Sequence, residues 1–191
     1  MSDLHTLLAD LLGGDELRAE ESVAGLIALD DQALPALREA VRSADADGRW
    51  WIVRALAELP CVRTGDLLPF LEDSAPEVRQ AAALGLGASP TESAIPGLVR
   101  ALYDPDSMVA SLAANALSRA GTAATPPLLE VLSEAPQVIR ILAMRALSEL
   151  KDHRAIPVMM KALDDDSAVI QHWAREGLER LGLDLVFMKP S

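Results

Sequence analysis

One cysteine, Cys61, stands among 191 residues, so no intramolecular disulfide can form and no thiolate cluster can hold a metal. A buried, inert thiol is the expectation for it. Aromatic residues amount to only 3% of the chain, while alanine and leucine dominate, which favours helices over strands. No run of 18 apolar residues occurs, and Met1-Ser2-Asp3-Leu4-His5 lacks the basic and apolar regions of a signal peptide. A cytoplasmic protein is expected. Basic residues are scarce as well: 17 Lys and Arg face 29 Asp and Glu, for a net charge of -12. Nucleic acids and anionic membranes both draw their affinity from Lys and Arg, so neither is an expected partner.

What is present is a repeat. The stretch Val78-Arg79-Gln80-Ala81-Ala82-Ala83-Leu84-Gly85-Leu86 has copies throughout, and its closing leucine recurs at Leu26, Leu56, Leu86, Leu117, Leu147 and Leu178, in steps of 30 or 31 residues. Val41, Leu71, Leu102, Leu132 and Leu163 keep the same step, with Pro35, Pro96, Pro126 and Pro157 in matching places. Two helices per period, joined by a polar turn, predict six helical hairpins. The hairpin helices are expected at 3–12 and 15–29, 34–41 and 49–59, 64–71 and 76–87, 94–103 and 109–120, 125–132 and 137–150, and 155–163 and 168–181. Gly48 falls in the predicted turn of the second hairpin, and Asp73 or Ser74 is placed to cap the helix from Pro76. Residues 1–181 read as one solenoid domain, and the apolar tail 182–191 as a cap on its last repeat.

The unit, an apolar helix, a Leu-x-Asp turn and a Val-Arg-x-x-Ala-Ala-x-x-Leu helix, resembles the HEAT-like repeats of the phycobilisome-lyase type. Leu71-Glu72-Asp73 leading to Val78-Arg79, and Leu102-Tyr103-Asp104 leading to Val109, carry that resemblance most fully. It implies an all-α, right-handed α-solenoid of the armadillo-like class, with the second helices lining a concave groove. The Arg of the motif is kept at Arg49, Arg79 and Arg140 but replaced by Ala110 and Gln171, and Glu134 takes the place of the turn aspartate, so an Asp-to-Arg ladder between repeats is incomplete.

Counting each second helix from its valine-like position as zero, at about 100° per residue, positions zero, four, seven, eight and eleven form the buried arc. Positions two and six point away from it, toward the implied groove. Among them Trp50, Arg54, Leu84, Asn115, Ile141, Arg145 and His172 are the candidate partner-binding residues. Position three, with Trp51, Ala81, Leu112, Leu142 and Trp173, reads as an apolar stripe packed in the core. Arg54 and Arg145 would give the groove a mildly basic floor suited to an acidic or amphipathic peptide; alternatively the arginines bind turn aspartates of adjacent repeats.

Catalytic signatures are missing. His5, His153 and His172 lie in different repeats without a second ligand at helical spacing, and there is no nucleophile elbow, phosphate loop or dinucleotide fingerprint. The acidic run 164–166 has no EF-hand spacing. The residues after the histidines do not form the His-Glu pairs of HEAT-like di-iron hydroxylases, and the charge opposes a HEAT-like DNA glycosylase. The expectation is therefore a non-enzymatic scaffold or adaptor for a protein or peptide partner, with no cofactor and no metal, its oligomeric state left open. The resemblance also implies an alternative, a bilin (tetrapyrrole) lyase or chromophore-handling subunit, with tryptophans and arginines holding the pigment and its propionates.

Overall fold

A computed structural model describes residues 3–183, and every regular element among them is helical. The helices gather into two compact units that meet in sequence between Ser89 and Pro90. Unit 1 holds α1 (Leu4–Leu11), α2 (Glu16–Leu29), α3 (Ala33–Ala40), α4 (Ala46–Glu58), α5 (Thr64–Leu67) and α6 (Pro76–Ala88). Unit 2 holds α7 (Ile95–Ala101), α8 (Ser107–Arg119), α9 (Thr125–Glu134), α10 (Gln137–Leu150), α11 (Ile156–Ala162) and α12 (Ala168–Arg180). Each unit is thus three helical hairpins, as the repeat period predicts. Of the expected tail cap, 182–191, all but the first two residues lie outside the described residues, and no described helix is long and apolar enough to cross a membrane.

Local chemistry sets most helix ends. Asp15, Asp45, Asp106 and Ser167 each accept a backbone N–H in the first turn of α2, α4, α8 and α12. Helix α6 instead begins on Pro76, whose missing N–H leaves one fewer unpaired donor in the first turn, and no side chain caps it; Asp73 accepts from the Ala75 N–H one residue earlier. Helix α5 ends after one turn and continues as a tighter 3₁₀ segment, Leu68–Glu72, because Pro69 has no N–H to donate and its ring crowds the preceding turn. Gly48, expected in a turn, lies inside α4 and is buried, where Leu12 Cδ2 would meet an added Cβ at 3.0 Å. Gly121 closes α8 at φ +80°, a conformation that side chains with a Cβ resist.

The core of each unit is built around its second helices, with first-helix residues such as Leu11, Leu37, Leu98 and Leu128 packed against them. Positions four and eight are buried in every repeat, from Ser22 and Leu26 in α2 to Ala174 and Leu178 in α12. Position five, absent from the expected arc, is buried too at Val23, Val53, Ala83, Ala114 and Met144. The arc widens because a second helix packs against its own hairpin partner and against second helices on both sides, as α4 does with α2 and α6, and α10 with α8 and α12. Position eleven is correspondingly looser; of its residues only Leu59 is fully buried. Each fully buried leucine stabilises the fold by about 1.5–3 kcal/mol. The position-three stripe is half-buried rather than core, which leaves Trp51 and Trp173 accessible along one side.

Candidate functional site

In unit 1, α4 carries two adjacent indoles. Trp50 and Trp51 meet edge to face, centroids 4.8 Å apart and planes at 80°. Both are half-buried, and with Leu12 and Leu17 they wall a cleft of about 680 Å³. The guanidinium of Arg54 lies 5.7 Å from the Trp50 ring and 5.5 Å from the Trp51 ring, a double cation–π placement. Its charge is already matched: it donates to Glu20 Oε1 at 2.6 Å and lies 3.6 Å from Glu58 Oε1. The expected basic floor is therefore not found here. Helical angles show where Arg54 points, but not that a carboxylate 34 residues earlier meets it. Leu84, 62% exposed on α6, stands outside this cleft.

Unit 2 repeats the geometry with different charge. Arg145 occupies the same position in α10 that Arg54 holds in α4, and it reaches back in the same way to the preceding second helix, again over 34 residues. There it donates to the Ser111 carbonyl at 3.2 Å and to Asn115 Oδ1 at 2.9 Å, both neutral. No described carboxylate pairs with Arg145. One turn away Ile141 is half-buried, and on the adjacent α12 exposed His172 tilts against half-buried Trp173 with centroids 5.0 Å apart. The candidates thus fall into separate groups: Trp50 with Arg54, Asn115 with Arg145 beside Ile141, His172 with Trp173, and Leu84 alone. Sequence reasoning had assigned Trp51 and Trp173 to the core.

Two of the motif arginines serve the repeat joints. Arg49 makes a two-pronged bond to Asp73 at 2.7 and 2.8 Å, and Arg140 donates to Asp165, each tying a second helix to the following turn within its unit. Hydrogen bonding from Arg49 holds the Asp73 carboxyl below its ordinary value, and at Asp165 the Ser167 N–H contributes most, with Arg140 after it. Asp165 is thereby occupied, which accounts for the centre of the acidic run 164–166.

Cys61 is half-buried rather than fully enclosed, and two carboxylates stand beside it. Asp30, at φ +42°, accepts the Cys61 N–H at 3.1 Å, and the ligating atoms of Asp30, Asp31 and Cys61 lie within 4.8 Å of one another. Burial first, and then the two carboxylates, push the thiol up to about 11. A proton held that firmly works against the thiolate that alkylation or metal binding requires. Iodoacetamide should label Cys61 far more slowly than a free thiol at pH 8, its rate rising toward pH 11; labelling at the rate of a free thiol would show that the carboxylates do not control it.

Residues 64–144 match the family model of HEAT repeats, and residues 139–165 match that of the PBS lyase HEAT-like repeat. Residues 64–165 are thus HEAT-type repeats, the stretch 139–165 of the PBS-lyase kind. The particular relatives sharpen this. Over 70 residues it is 41% identical to the bilin biosynthesis protein RpcF of Synechococcus sp. (strain WH8020), a match covering 36% of this chain and 34% of the relative. Among solved structures, the HEAT-like repeats protein of the archaeon Thermococcus onnurineus NA1 superposes with a TM-score of 0.65 at 16% identity, over 94% of this chain and 80% of that one. The complex of CpcE and CpcF of phycocyanin lyase from Nostoc sp. PCC7120 gives 0.59 at 23% identity, over 75% of this chain and 96% of the matched chain. These structures establish the fold class, an all-α solenoid of HEAT-like hairpins. The expectation of a non-enzymatic chain is corrected by the curated relative, which is a bilin biosynthesis protein. Composition and missing motifs do not decide an activity here, because one fold hosts many functions.

Proposed function

We propose that the chain handles bilins as a lyase-type HEAT-repeat subunit, working with a protein partner, and that the unit 2 face around Arg145 contacts the tetrapyrrole. The observation that carries this reading is the 41% identity to a bilin biosynthesis protein over 70 residues. Its matched stretch spans about a third of that relative, so activity, pigment and partner are all part of the proposal. A linear tetrapyrrole offers a flat conjugated body and two propionates. Arg145, without an opposing carboxylate, supplies the free positive charge such an anion needs, and the paired rings of His172 and Trp173 supply a flat surface. Ile141 and Arg145 both fall inside the stretch matching the PBS-lyase repeat. Arg54 is the weaker partner for a propionate because Glu20 already occupies it.

The test is a titration with biliverdin, followed by its visible absorption and by tryptophan fluorescence, with a parallel assay for covalent colour transferred to an apo-phycobiliprotein. Wild-type protein should bind saturably, and Arg145→Ala should weaken binding about tenfold or more, the loss expected for a charged hydrogen bond. Arg54→Ala should leave affinity unchanged. No spectral change with biliverdin, or equal weakening by both substitutions, would remove the reading.

A further inference from the structure

The unit 1 cleft has a chemistry that bilin contact at unit 2 does not use. Glu16, Glu20, Asp45, Asp47 and Glu77 surround it, five carboxylates against the single guanidinium of Arg54. That guanidinium is claimed by Glu20 and by Glu58, and Asp45 lies near Arg49, so Glu16, Asp47 and Glu77 are the carboxylates that face solvent without a described cation. Glu16, Asp47 and Glu77 each sit in the first turn of α2, α4 and α6, where a helix N-terminus favours a carboxylate for stability alone. Stacking the hairpins nevertheless brings those three helix starts to one rim. Beneath the rim the walls are apolar: Leu17 is 79% exposed, and the two indoles stand at right angles. The indoles already accept one guanidinium, that of Arg54, which shows the cation chemistry their faces support.

We infer that this cleft docks a basic segment of a partner protein, taking a Lys or Arg side chain against Trp50 and Trp51 with its charge met by the Glu16, Asp47 and Glu77 rim. Charge complementarity selects this occupant. A propionate-bearing pigment or an acidic peptide would be repelled by the same rim, and a second copy of this chain, with net charge -12, offers few cations to seat there. The inference is independent of the bilin reading, since the two faces lie in different units.

The experiment is calorimetric titration of the full chain with a peptide of about eight alternating lysines and arginines, and with a glutamate–serine peptide of equal length as control. The basic peptide should bind saturably and weaken strongly as ionic strength rises from about 0.01 to about 0.15 M, while the acidic one does not bind. Glu16→Gln/Asp47→Asn/Glu77→Gln should lower affinity about tenfold or more. Glu134→Gln/Glu149→Gln/Glu179→Gln, which removes the same charge from exposed sites in unit 2, should lower it little. Equal losses in the two triple variants would mean that net charge alone attracts the peptide, and no saturable binding would mean that the cleft does not recognise cations; either overturns the inference. The neutralised rim should leave the biliverdin titration unaltered, so failure here and failure of the bilin reading are separately visible.

Discussion

Gly85→Val should be the most damaging single substitution proposed for this protein, costing about 3 kcal/mol and lowering the melting temperature by about 10 °C. A Cβ built on Gly85 would lie 2.6 Å from Ala57 Cβ and 3.6 Å from Ala57 Cα, with Leu67 Cδ1 at 3.2 Å. Ala57 belongs to α4 and has no rotamer to turn away, so relief requires α4 and α6 to separate, and their contact is a main joint of unit 1. Gly25 provides the internal control. Its added Cβ would meet Leu7 Cδ2 at 2.6 Å, but that atom ends a flexible side chain. Gly25→Ala should therefore fall near zero, a helix-propensity gain of up to about 1 kcal/mol offsetting the repacking of Leu7. Thermal melts of both variants decide it; equal effects would mean that the spacing of the second helices is not set by Gly85.

Asp73→Ala should cost about 2 kcal/mol at neutral pH, because it leaves the half-buried Arg49 guanidinium without its two-pronged acceptor and removes the bond to the Ala75 N–H. Asp73→Asn keeps an acceptor and should lose about half as much. The pH dependence has a definite sign. Arg49 hydrogen bonding holds the Asp73 carboxyl below its ordinary value in the folded chain, so the carboxylate stabilises the fold fully above the ordinary carboxylate range. The contribution fades as pH falls through the lowered folded value. In urea unfolding, wild type should exceed Asp73→Asn by a constant margin from pH 7 down to about 4–5, and the margin should close in stronger acid. A margin that stays constant into strong acid would show that Asp73 does not stabilise through its charge.

The repeat leucines, at steps of 30 or 31 residues, made the six hairpins legible because each copy repeats the same burial. What the pattern could not convey were events peculiar to one copy. Pro69 falls four residues further into its helix than the equivalent prolines of the later hairpins and converts most of it to a 3₁₀ segment. Gly48 resembles a breaker by residue type, yet Asp45 caps the helix three residues earlier and the glycine serves close packing against Leu12. Helical angles placed Trp50 and Arg54 on a shared face, and the structure joins them. The same angles assigned Trp51 to the core, since a one-helix calculation does not include the neighbours that decide how wide the buried arc is. Charge was the least legible property: Arg54 and Arg145 look equivalent along the chain, and only the folded partners Glu20 and Ser111–Asn115 tell them apart.

That pair of arginines has a consequence for how such arrays diversify. Each arginine reaches one helix back, so the electrostatic meaning of a position is written in the preceding repeat. A mutation at Glu20 would unmask a cation in unit 1 without touching the residue that bears it, and an acid introduced at Asn115 would silence the one in unit 2. Recognition can drift from anion to cation by changing a neighbour's side chain, while the arginine, the helix and the packing that hold it remain unaltered.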